Sequence, residues 1–298
     1  MPSKLDYAVG AGHDEPTVLT ELTTAIDLRE WMHDRIKNYE REGPGFEEST
    51  PRGRVYIAET IKYYSDIGLT QTGSAPNFFG GIWSLATCKK GMRGEPERSD
   101  KPNPNHPFQN LFGEPDSDGV RQPKYPVFIL ACSSRNQEHD KPVWSDSYRN
   151  WVASIAMVTH GFDRMEEYGY YLRKNHDGAT VAKRLTHAQD ATEIAVNRGD
   201  CHIDEEGKVR YPPSDHQHGD GDVETTCGCD SQPPSRVPGD HIDNSENHVK
   251  CVSKPGYWIG WTEPQFALSP ENEFTVGYKN INGFNDLVDR IESVGEPG

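Results

Sequence analysis

The chain has 298 residues, 33% of them hydrophobic, and its 47 acidic against 31 basic side chains leave a formal charge of -16. Such a length can bury a sizeable core in one elaborated domain, and the acidity excludes the general basic footprint of a nucleic-acid binder. With only 14 Lys against 17 Arg and several aromatic-rich segments, the chain reads as a folded, halophilic protein whose net charge maintains solubility. An aromatic content of 10% argues against an acidic disordered protein.

No run approaches the roughly 18 apolar residues of a membrane span; the longest are VFILAC and WVASIAMV. The N-terminus MPSKLDYAVGAGHDEP lacks a charged segment followed by an apolar one. A cytoplasmic protein with no membrane partner is expected. Its six cysteines then read as thiols or metal ligands, not as a disulfide framework.

In chain order, Val18, Leu22, Ala25, Leu28, Met32, Ile36 and Tyr39 fall at the spacing of one helical face. This predicts an amphipathic helix that caps the domain. REGPGFEESTPRGR follows as a Gly- and Pro-bearing linker, so residues 1–52 form a helix and linker and 53–298 the main domain. IKYYSDIG, YPVFILACSS and NWVASIAMVTHG read as strands. DRMEEYGYYLRK reads as a helix with Asp163 at its N-cap, and ATVAKRLTHAQDATEIAV as another.

Residues 199–256, rich in Gly, Pro, Asp, His and Cys, read as a long irregular loop. GYWIGW resumes strand character, and GFNDLVDRIESV reads as a terminal helix. Strands mixed with irregularly spaced helices predict an α+β domain around a compact curved sheet or small β-barrel, with peripheral helices.

The densest chemistry lies in GSAPNFFGGIWSLATCKKGMRG, residues 73–94. Its glycines and Pro76 shape a turn around Asn77, whose amide can cap that turn or read the edge of a base. IWSLATC is apolar enough to be buried. Lys89, Lys90 and Arg93 then form a cationic group on an acidic background, suited to phosphate or carboxylate, or simply to solvent. Cys88 ends the apolar run and reads as a small buried residue ahead of a nucleophile.

SDIG, APNFFGG, SLATCKKGMR, VFILACS, the FDRMEEY segment, RGD and SDHQH together resemble the nucleotide-modification-associated domain family of the second type. The likeness spans about residues 55–285 and is sharpest over 66–93. That family is named for its gene company with systems that alter DNA bases. The matching positions are Asp66, Gly68, Pro76, Asn77, Gly80, Cys88, Lys89, Arg93, Asp200, Ser214 and His216. The resemblance implies Asp66, Asp200 and His216 as catalytic candidates, and Asn77, Cys88, Lys89, Arg93 and Ser214 as substrate-binding ones. The chain departs from the family in its N-terminal helix, in the longer gap between Asp66 and Asn77, and in its expanded His- and Cys-rich loop.

In that loop His216 and His218, Cys227 and Cys229, and His248 and Cys251 are close pairs, but their spacing is a poor zinc-finger match, and no bound metal is expected. His216 with Asp215 or Asp200 could supply a base and its orienting carboxylate. No Walker loop, dinucleotide glycine fingerprint or Gly-x-Ser-x-Gly elbow is present, and no cofactor is expected.

The expected function is nucleotide or DNA base modification, with DNA ahead of RNA as partner. Asn77 would meet the base edge, Arg93 and Lys89 the phosphate, and Trp151, Tyr257 or Trp258 would stack on the base. The alternatives are a non-catalytic PUA-like reader of a modified base and a zinc-stabilised interaction module.

Overall fold

The computed structural model describes residues 22, 24–47, 51–58, 61–64, 68–71, 76, 82–85, 111–133, 150–176, 202–203, 209–210, 249–261, 265–273, 277–282 and 284–293. They form an α+β fold. Helix α1 (Ala25–Glu42) starts at a capping box in which the Thr24 hydroxyl accepts from Asp27 N at 3.2 Å and Asp27 accepts from Thr24 N at 3.1 Å. The apolar stripe read from sequence faces inward: Leu28, Trp31, Met32 and Tyr39 are buried, and Leu22, Ala25 and Ile36 pack beside them.

The strands are β1 (Arg52–Ala58), β2 (Ile61–Tyr64), β3 (Gly68–Gln71), β4 (Trp83–Leu85), β5 (Val120–Arg121), β6 (Val127–Ser133), β7 (Val152–Met157) and β8 (His160–Phe162). Helix α2 (Met165–Asn175), β9 (His202–Ile203), β10 (Val209–Arg210), β11 (Lys250–Ser253), β12 (Trp258–Gly260), β13 (Phe266–Leu268), β14 (Gly277–Asn282), helix α3 (Phe284–Val288) and β15 (Ile291–Ser293) follow.

Two sheets carry the core. One is five-stranded in the order β12-β7-β6-β1-β14, with β1 and β6 parallel and the other neighbours antiparallel; the second is antiparallel in the order β4-β11-β8-β5. Among the described residues neither sheet closes into a barrel.

The period-2 alternation of β6 assigns its side chains to two cores. Val127, Ile129 and Ala131 join Trp83, Leu85, Cys251 and Trp258 between the sheets. Phe128, Leu130 and Cys132 face the other way, into a core with Leu28, Trp31 and Met32 of α1. A third cluster, Ile82, Val120, Phe162 and Val252 with Tyr168 and Leu172, packs α2 on the outer face of the four-stranded sheet. The layers therefore run helix, sheet, sheet, helix. Each large side chain so buried contributes about 1.5 to 3 kcal/mol. A bond from Trp83 Nε1 to Ser154 Oγ, 3.1 Å long, ties the two sheets together.

Five sequence expectations change. The segment read as a linker ends in β1, which lies between β6 and β14 in the larger sheet. NWVASIAMVTHG divides at Val158 and Thr159 into β7 and β8, which belong to different sheets. Asp163 does not cap α2: Arg164 occupies that position, and Asp163 is held by Arg121 instead. Part of the stretch read as a loop is β11, fully buried, and the terminal helix stops at Val288 before β15. The helix expected over ATVAKRLTHAQDATEIAV lies outside the described residues.

Candidate functional site

Strand β4 is the middle of the motif-bearing segment. APNFFGG runs into it at the Trp83 end, and CKKGMR follows from the Leu85 end. All three residues of β4 are buried, as the apolar run predicts, and so is Pro76. Asp66, Asn77, Cys88, Lys89, Arg93, Asp200, Ser214 and His216 lie outside the described residues, as do His218, Cys227, Cys229 and His248.

Register shows what surrounds the entrance to β4. Trp83 pairs with Ser253 on β11, and Val252 pairs with Ser84 on one side and with His160 of β8 on the other. Around His160 the chain crosses from the larger sheet to the smaller one, and several polar groups converge on Thr159. Thr159 N donates to Val252 O at 2.8 Å, Lys254 N donates to Thr159 Oγ1 at 3.0 Å, and Tyr39 OH lies 3.2 Å from Thr159 O and 2.5 Å from Gln122 Oε1. Thr159 Oγ1 also sits 2.8 Å from His160 Nδ1.

The tight turn joining β11 to β12 completes this end. Gly256 has φ of +82°, a conformation that a side chain would strain, and its carbonyl accepts from an Arg35 guanidinium nitrogen at 2.8 Å. Lys254 stands over the Tyr257 ring at 4.7 Å and 3.8 Å from a Glu42 carboxylate oxygen. Tyr257 OH donates to that same oxygen at 3.3 Å, while burial first and the Glu42 charge second push its phenol up to about 12.

His160 is the titratable group that this environment alters most usefully. Its ring stacks 6.5 Å from Phe162 and lies 4.9 Å from Tyr171. Burial, reinforced by Lys254 and His176 and opposed by Asp116, lowers its pKa to about 4. The imidazole is thus uncharged at neutral pH, and it is partly exposed. Sequence reasoning passed over this histidine, because it follows an apolar strand and has none of the paired spacing of His216 and His218. The usable signal was a Thr-His-Gly break in an otherwise continuous apolar run.

At the opposite end of β8 the chemistry is ionic. Arg121 grips Asp163 through two nitrogens at 2.9 and 2.8 Å and gives its third to Gly113 O at 2.7 Å. Lys250, fully buried, donates to Asp163 O at 2.5 Å.

Trp151 and Trp258, expected to stack on a base, lie in the core between the sheets at 5% and 0% exposure. As placed, neither presents an open ring face. Tyr257 is likewise buried. Cys251, expected beside His248 as a possible metal ligand, is buried in the same inter-sheet core. Among the described residues no group of three or more His, Cys, Asp or Glu is arranged to hold a metal ion. Among them, too, no helix is long and apolar enough to cross a membrane. No family model, curated protein or solved structure matches the chain.

Proposed function

We propose that this chain belongs to the nucleotide-modification-associated family of the second type and binds a nucleobase or nucleotide of a DNA modification pathway. In this reading Asn77 meets the base edge, Arg93 and Lys89 hold phosphate, and Asp66, Asp200 and His216 are the groups available for chemistry. The observation that supports it is the state of β4. This strand is buried throughout and fixed to the neighbouring sheet by the Trp83 to Ser154 bond, so both halves of the motif are attached to a rigid element. Rigid support is what a recognition site requires.

The test is calorimetric titration with a panel of deoxynucleotides in molar KCl. Losing one hydrogen-bonding partner of a bound polar group costs about 1 to 3 kcal/mol, so Asn77→Ala and Arg93→Ala should each weaken binding about 5- to 150-fold, while Lys90→Ala leaves it nearly unchanged. Unaltered binding in both of the first two variants removes the reading. Mass spectrometry of DNA nucleosides with and without the gene then separates its two forms: altered nucleosides indicate an enzyme, and unaltered ones a PUA-like reader.

A further inference from the structure

We infer that the C-terminal half of α1 and the turn between β11 and β12 form a binding site for a phosphate group, with the Arg35 guanidinium as its anchor. The inference is independent of the nucleobase reading above and uses no part of the β4 motif.

Three observations carry it. The first is an arginine with no carboxylate. Arg29, Arg41 and Arg121 pair with Asp289, Glu42 and Asp163, whereas among the described residues Arg35 meets no acidic side chain, in a chain of net charge -16. Its Nη1 is bonded to Gly256 O at 2.8 Å, and its Nε is enclosed without a hydrogen-bond partner; Nη2 has no partner among the described residues either, but it is not enclosed. A half-buried cation left unneutralised is costly, and an anion that reaches Nη2 offsets that cost.

The second is preorganisation. The guanidinium lies 5.8 Å from the Trp31 ring and 5.9 Å from the Tyr257 ring, both buried, and the Gly256 carbonyl holds its near edge. Nη2 and the second hydrogen of Nη1 are left to face a ligand. Held in this way, the planar fork loses little freedom when it takes two oxygens of one phosphate.

The third is local charge. Lys254 stands 4.7 Å from the same Tyr257 ring, and Arg41 and Lys254 share one acid, Glu42, at 3.2 and 3.8 Å. The contact group therefore holds three cations against one carboxylate. That balance favours a doubly charged phosphate over a carboxylate ligand.

The experiment follows the arginine Nε–H signals of the full chain by proton–nitrogen NMR while inorganic phosphate replaces chloride at constant ionic strength. The Arg35 signal, assigned by its loss in Arg35→Met, should move and saturate. That of Arg290, which also lacks a carboxylate among the described residues but is bonded to Asn272 Oδ1 at 2.6 Å, should not move. Phosphate should bind Arg35→Met about tenfold more weakly and Arg35→Lys severalfold more weakly, with melting as the check that both fold. Glu42→Gln, which removes the competing acid, should tighten binding about threefold. Methyl phosphate binding as well as inorganic phosphate supports an esterified ligand, and its exclusion supports the free ion. No saturable shift at Arg35, an equal shift at Arg290, or tighter binding of acetate than of phosphate overturns the inference, and none of these outcomes bears on the nucleobase reading.

Discussion

Strand β8 has two polar ends, and they are built differently. At the Phe162 end, Arg121 uses all three guanidinium nitrogens, Asp163 accepts with its carboxylate and its carbonyl, and Lys250 closes the group from β11. At the His160 end, an uncharged imidazole stands near the Lys254–Glu42 pair and is met at Nδ1 by the Thr159 hydroxyl. A saturated ionic cluster fixes a loop and a helix start, but it has nothing left to offer a ligand. The His160 end is tied mainly by hydrogen bonds through Thr159.

Breaking the ionic end should have the larger effect. Asp163→Ala leaves the Arg121 guanidinium, at 12% side-chain exposure, without its partner, and should destabilise the protein by about 3 to 5 kcal/mol in urea melts. The double variant Arg121→Met, Asp163→Leu should recover much of that loss. If Asp163→Ala costs less than about 1 kcal/mol, the two ends are not the different structures described above.

The His160 end should show itself through acid. The folded chain holds the His160 proton with a pKa of about 4, against an ordinary value of 6.5 in the unfolded chain. The unfolded state therefore binds more protons between these values, and stability present above pH 6.5 is lost as the pH falls towards 4. The contribution is at most about 3 kcal/mol. Comparing wild type with His160→Gln at pH 7, 5.5 and 4 isolates it: the wild type should lose the extra stability. Parallel pH curves would show that His160 is not the group responsible.

The smallest effect sharpens the same end. Thr159→Val removes the hydroxyl that serves Lys254 N and His160 Nδ1, and should cost about 1 to 2 kcal/mol at neutral pH. It should also broaden the His160 resonances by freeing the ring. A sharp, unmoved signal would mean that ring packing alone holds the imidazole.

Elements with a strong local pattern were legible in the sequence. The stripe of α1 and the apolar run of β6 both reappear as core, although only the structure shows that β6 serves two cores at once. The rest depended on distant partners. β1 begins within a Gly- and Pro-marked stretch, and its place comes from β6 and β14, neither of which is near in sequence. β11 is hidden among His, Cys and Asp residues and is identified by pairing with β4 and β8. Of the candidate site, the burial of β4 was readable. His160 was not, because its value comes from Lys254, Asp116 and Tyr171 assembled around it by the fold.

The pairing of β1 with β14 also has a kinetic consequence. Residues 52–58 take one neighbour from residues 127–133 and the other from residues 277–282, so β1 is synthesised long before its second neighbour and is enclosed only once β14 has followed. Closing so long a loop is slow, and until it closes one edge of β1 stays open to other chains. A ribosome-bound chain that has not yet emitted β14 is therefore the species most exposed to misassociation. Folding of the larger sheet is completed only after residues 277–282 have emerged.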